Sequence, residues 1–108
     1  MAKIEDPVEA LLEIVRFYAR MRPGVIDILE AAGQERFKIS IKSLRRAAGR
    51  MGFYGVDAII EYILRDDKSL ERLRRLGVEI IVDDGRVWVE VPSMMLKEFR
   101  GEAGKGRA

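Results

Sequence analysis

Between Arg36 and Val56 the chain places Arg36, Lys38, Lys42, Arg45, Arg46 and Arg50 without a single acid, and Phe37, Phe53 and Tyr54 stand among them with Gly49, Gly52 and Gly55. This window carries +6 in a chain whose net charge is +2, and the segments on either side, residues 1–35 and 57–99, each carry −3. The positive charge is therefore placed, not spread. Guanidinium and ammonium groups pair with phosphates, and aromatic rings stack on flat bases, so the combination suits a single-stranded polyanion that carries bases. Lys42, Arg45, Arg46 and Arg50 are the expected phosphate partners, Lys38 extends the track, and Phe53 or Tyr54 supplies a stacking ring.

The helix from Ile41 to Met51 must position these groups. Its apolar residues Ile41, Leu44, Ala48 and Met51 fall on one side, while Lys42, Arg45, Arg46 and Arg50 fall on the other at steps of three and four. Like charges at that spacing repel, so the arrangement costs some folding stability. An ordinary solvated face mixes signs, and this one does not. Gly52-Phe53-Tyr54-Gly55 then turns the chain, and because adjacent side chains point apart, one ring of the pair is expected to stay accessible while the other plugs the core.

The remaining elements follow from caps and periodicity. Asp6-Pro7-Val8-Glu9 starts a helix that stops near Arg22 ahead of Pro23, and a second helix runs from Pro23 to Gly33. Phe37 to Ile41 alternates as a short strand leading to a helix capped by Ser40. A helix over Val56 to Leu64 buries Ile59, Ile60 and Ile63, and a short one carries Leu70, Leu73 and Leu76 before Gly77.

Asp84-Gly85 predicts a two-residue hairpin turn that pairs Val82 with Val87, Ile80 with Val89 and Val78 with Val91 on a core face. The other face then pairs Asp83 with Arg86, Ile81 with Trp88 and Glu79 with Glu90. Trp88 suits packing beneath another element better than stacking on a base, because the glutamates beside it would repel a phosphate strand. Pro92 ends the strand, Ser93 caps a short helix carrying Met95, Leu96 and Phe99, and residues 100–108 are expected to form a flexible polar tail. The expected architecture is α+β: helices packed on a small antiparallel sheet that includes a C-terminal β-hairpin, with residues 1–99 as a single domain.

Composition narrows the chemistry. Zero cysteine removes disulfides, thiolate nucleophiles and sulfur-ligated zinc, and zero histidine removes the commonest general base and metal ligand. No catalytic residue, metal or cofactor is expected, and Asp66-Asp67 and Asp83-Asp84 read as a helix cap and a turn rather than a magnesium site. With no long apolar run and with Glu5 and Asp6 near its start, the chain is expected to be cytoplasmic and free of the membrane. The charged fraction and arginine-heavy basic set suit a thermophilic source.

Two modules share parts of the pattern. Gly52 to Gly55 matches the GxxG loop of KH domains, although that loop usually carries small or basic residues. The helix and hairpin from Leu70 to Val91 match the end of a winged-helix domain, where Lys68, Arg72 and Arg75 would face duplex DNA; two aspartates at the hairpin tip disfavour phosphate contact there. A third alternative is a protein–protein adaptor that meets an acidic partner through the basic helix.

Over about residues 5–92 the chain resembles the archaeal ThermoDBP-related family of single-stranded nucleic-acid binders. The likeness lies in the run Glu5 to Pro23, in Phe37 to Ala48 and in the Gly52 to Gly55 turn. The resemblance implies helices on a small antiparallel sheet and a basic, aromatic-lined cleft drawing on Lys38, Lys42, Arg45, Arg46, Arg50, Phe53 and Tyr54. Long members of the family dimerise through a C-terminal zipper. No heptad run follows Phe99 here, so a homodimer would use the Met94 to Phe99 segment or an exposed sheet edge. The function expected from residues and resemblance together is non-catalytic binding of single-stranded DNA or RNA with little sequence preference. About four phosphates would be engaged, giving a log–log salt slope near −3.

Overall fold

Asp6 opens the fold as an N-cap, its carboxylate accepting from the Val8 amide at 3.0 Å and the Glu9 amide at 3.4 Å, with Pro7 in the first helical position. The computed structural model describes residues 6–105, and the first helix, α1, spans Pro7–Met21. A hydrogen bond from Arg72 is the largest influence on the Asp6 carboxyl and holds it below the usual aspartate value. Pro23 stops α1 and starts α2 (Pro23–Ala31), which buries Ile26 and Leu29 and leaves Ile28 exposed.

Strand β1 (Arg36–Ser40) leads directly into α3 (Ile41–Arg50), and α4 (Val56–Arg65) and α5 (Asp67–Arg75) follow. The chain then forms the hairpin β2 (Glu79–Asp83) and β3 (Arg86–Pro92) and ends in α6 (Ser93–Lys105). Asp84 at φ 50° and Gly85 at φ 75° supply the two positive values that a type I′ turn requires. The register from the turn to Glu79 is the expected one, with Val82 opposite Val87, Ile80 opposite Val89, Ile81 opposite Trp88 and Glu79 opposite Glu90; the expected pair of Val78 with Val91 is not formed, because β2 begins at Glu79. β1 adds to the free edge of β3, Ser40 opposite Trp88 and Lys38 opposite Glu90, so the antiparallel order is β1-β3-β2. The architecture is α+β, with six helices and this sheet among the described residues.

Side chains alternate across a strand, so Ile39, Val89 and Ile80 share one face and Lys38, Glu90 and Glu79 the other. The first face joins the core. Ile39, Val89 and Val91 are buried with Leu11, Ile14 and Val15 of α1, Leu44 of α3, Ile63 of α4, Leu73 of α5 and Leu96 of α6. Helix α1 lies at the centre, packed against α3, α4 and α6. Tyr18 of α1 stacks on Phe37 of β1 with ring centroids 6.4 Å apart, and burial raises its phenol pKa.

Five expectations change. Ser93 is expected to cap the last helix, but it is the first residue of α6 and its buried hydroxyl has no hydrogen-bond partner among the described residues. Val82 is expected on the core face, but it lies on the edge strand β2 and is exposed, while its partner Val87 packs against the core. Met51 was placed on the apolar seam of α3, but it is the C-cap residue and is exposed. Trp88 was expected beneath another element, yet it and Ile81 lie on the sheet face away from the core and stand outside the core cluster. The expected tail from residue 100 is in part helical, because α6 continues to Lys105. There Arg100 reaches back to α2, donating to the Pro23 carbonyl oxygen and the Asp27 carboxylate. Residues 106–108 of that expected tail lie outside the described residues.

Candidate nucleic-acid interface

Ser40 fixes the start of α3, its hydroxyl oxygen accepting from the Ser43 amide at 3.1 Å. From there successive residues turn by about 100°. Leu44, Ala47 and Ala48 face the core, and Ile41 packs against it. Lys42, Arg46 and Arg50, four residues apart, form one line on the opposite side, and all three are exposed. Arg50 lies in the last turn, where the helix dipole favours a cation; no acid stands in the first turn beside Lys42.

Arg45 lies off this line, and a carboxylate holds it. Its Nε donates to Asp57 Oδ2 at 2.9 Å and its Nη2 to Oδ1 at 2.9 Å, a two-pronged pair joining α3 to the first turn of α4. The Asp57 hydrogen bond also raises the Arg45 pKa. Among the described residues, Lys42, Arg46 and Arg50 have no hydrogen-bond or ion-pair partner. The six cations of the window thus divide. Arg36 binds Glu90, Arg45 binds Asp57, Lys38 lies on the outer sheet face beside Glu90, and three remain as an uncompensated line on one helix.

Asp57 is one residue beyond the acid-free window, and its contact with Arg45 spans twelve positions. Both side chains of the pair are more than half exposed, so the pair adds little to stability and can open to a phosphate. Replacing Asp57 with Asn is expected to free Arg45 and tighten binding of a short single-stranded oligonucleotide a few-fold at low salt, with a steeper salt slope. Fluorescence anisotropy at several ionic strengths checks this, and weaker binding would place Arg45 outside the interface.

The turn after α3 sorts the two rings. Gly52 at φ 82° closes the helix, its amide donating to the Gly49 carbonyl and that of Phe53 to the Ala48 carbonyl at 2.9 Å. This bend sends the Phe53 ring onto the core and over Gly55, where a β-carbon would stand 2.8 Å from the ring Cζ. Tyr54 points the other way and is 85% exposed. Its Cε1 lies 3.7 Å from where a β-carbon on Gly49 would be, which sets the phenol beside the last turn of α3. The expectation that one ring stays accessible is met, and the accessible ring is Tyr54.

The cavities lie elsewhere. One of about 430 Å³ opens between α2 and α6, lined by Ile26, Leu29, Gln34, Ser93, Met94 and Lys97 among others. Another, of about 560 Å³, lies beside α4 at Ala58, Glu61, Tyr62, Arg65 and Asp66. None of Lys38, Lys42, Arg45, Arg46, Arg50, Phe53 and Tyr54 lines either one. Among the described residues no group of three acids could hold a metal ion, and no helix is long and apolar enough to cross a membrane. Comparison of the chain with protein-family models, curated proteins and solved structures found no match.

Proposed function

We propose that this protein binds single-stranded nucleic acid, DNA or RNA, with little sequence preference and performs no reaction. The observation that carries this reading is the line Lys42, Arg46 and Arg50, unpaired among the described residues, running along one helix to an exposed tyrosine ring. A solvated face built for stability would spread and pair its charges, as α5 does. There Arg72 binds Asp6 at 2.8 Å and Glu9 at 3.5 Å, and Arg74 and Arg75 bind Glu71. That pairing also weighs against the winged-helix alternative, because Arg72 and Arg75 of the helix that would enter a groove are paired with acids and of the three expected cations Lys68 alone has no partner among the described residues. The resemblance to the ThermoDBP-related family points to the same class of ligand.

Phosphates lie along the outside of a flexible strand and can follow a straight row of cations, while its unpaired bases are free to stack on a ring. With Arg45 engaged by Asp57, three phosphate contacts replace the four anticipated from sequence. At roughly −0.7 per contact, the slope of log affinity against log salt is then about −2. The test is a titration of fluorescent homopolymers, single- and double-stranded, DNA and RNA, at several ionic strengths. Preference for single strands with that slope supports the proposal. Preference for duplex of equal length, or no binding above that of a modestly basic control protein, sinks it.

A further inference from the structure

Tyr54 marks the C-terminal end of the α3 cation line, and the fold places a second ring at the other end. Helix α3 starts from its cap Ser40, and Ser40 stands directly opposite Trp88 in the sheet. The register puts Trp88 on the outer face, with Ser40 on one side, Ile81 on the other, and Arg86 and Glu90 two residues away along its own strand. Lys38 shares this face, two residues before Ser40 on β1. Trp88 stands outside the core cluster and is partly exposed, so its ring is not required to fill the interior.

The acidic neighbours are the objection to a strand approaching here, and the structure weakens it. The Glu90 carboxylate accepts from Arg36 Nε, and the same guanidinium donates to the Gly77 carbonyl oxygen at 2.9 Å, so the negative charge nearest Trp88 on its own strand is compensated. Glu79 belongs to β2 at the opposite edge of the sheet from β1 and α3.

We propose that Trp88 is a second base-stacking platform, so that a single strand is held by a ring at each end of α3 with its intervening phosphates on Lys42, Arg46 and Arg50. This rests on the reading of α3 as a single-strand interface. Lys42 to Arg50 covers about 12 Å of helix. Three linking phosphates belong to roughly four nucleotides, which sets the shortest strand able to reach both rings.

Trp88 is the only tryptophan, so the unlabelled full chain reports on its own site. Oligothymidylates of two to eight nucleotides with a terminal fluorophore are titrated by anisotropy, and the same unlabelled strands are followed by tryptophan emission. The expected result is quenching that tracks the anisotropy curve and an affinity that climbs with length until about four nucleotides. Trp88→Leu should weaken binding about tenfold while leaving the salt slope unchanged, since it removes a stacked base and no phosphate contact. Trp88→Phe should recover most of that loss. Anisotropy binding without quenching, with Trp88→Leu at wild-type affinity, overturns the second platform and leaves the α3 interface standing. Absence of any anisotropy change overturns both.

Discussion

Replacing Lys42, Arg46 and Arg50 together with alanine is expected to lower affinity for a single-stranded oligonucleotide on the order of a hundredfold at low salt and to flatten the salt dependence nearly to zero. Each residue would contribute one exposed, screened phosphate contact, so no single alanine should approach that loss. The three contacts lie on one rigid helix and are engaged by one strand, so their removal is read most clearly in combination. The variant should fold at least as well as the parent. These side chains have no partner among the described residues, and removing like charges one turn apart relieves repulsion. A melting temperature at or above the parent's, together with lost binding, separates this result from simple unfolding. Retained binding with an unchanged slope would move the interface away from α3.

A second comparison checks the division among the cations. Arg45 stands on the same helix with the same charge, yet three hydrogen bonds to Asp57 occupy it. In sequence the two kinds of arginine look alike. Helical spacing shows which residues share a face, but the partner of Arg45 depends on how the Gly52 to Gly55 turn brings the first turn of α4 alongside α3. A contact across a turn is set by backbone angles that local pattern does not report. Trp88 illustrates the same limit from the other side. Two-residue alternation and an Asp-Gly turn were enough to fix the five pairs from Asp83 with Arg86 to Glu79 with Glu90, including Ile81 with Trp88. Whether a helix would cover that face depended on where six helices pack, and they pack on the side of Ile39, Val89 and Val91.

The C-terminal helix extends the point. Glycine-rich composition after Phe99 argued for a loose tail, because glycine costs a helix about 1 kcal/mol against alanine. The bonds from Arg100 to Pro23 and Asp27 lie more than seventy positions away in sequence and help anchor α6 as it passes the first of those glycines. Local propensity was overruled there by a distant partner. Caps are more local, and Asp6, Ser40 and Asp66 each make the side-chain-to-amide bond their sequence context implies, whereas Ser93, also a cap by sequence, lies inside α6 with its hydroxyl unpartnered among the described residues.

Two residues of α3 that share an apolar seam by spacing should differ sharply in energetic weight. Leu44 is fully buried between α3 and the core, whereas Met51, at the C-cap, is 40% exposed. Leu44→Ala is expected to cost about 2–5 kcal/mol, the lost transfer energy of the side chain plus the cavity left where neighbours cannot close in. Met51→Ala should stay within about 0.5 kcal/mol, because much of that side chain is already in water. Domains of this size are stable by only about 5–15 kcal/mol, so the first substitution removes a substantial fraction of what holds the helix in place. Urea unfolding followed by circular dichroism measures both, and the slopes should match if the unfolded states are alike. Below the unfolding range, each variant should bind oligonucleotide with parent affinity per folded molecule, because neither side chain belongs to the cation line. A Leu44→Ala protein as stable as the parent would mean that α3 is not seated on the core as described, and the straight row of Lys42, Arg46 and Arg50 would lose its support.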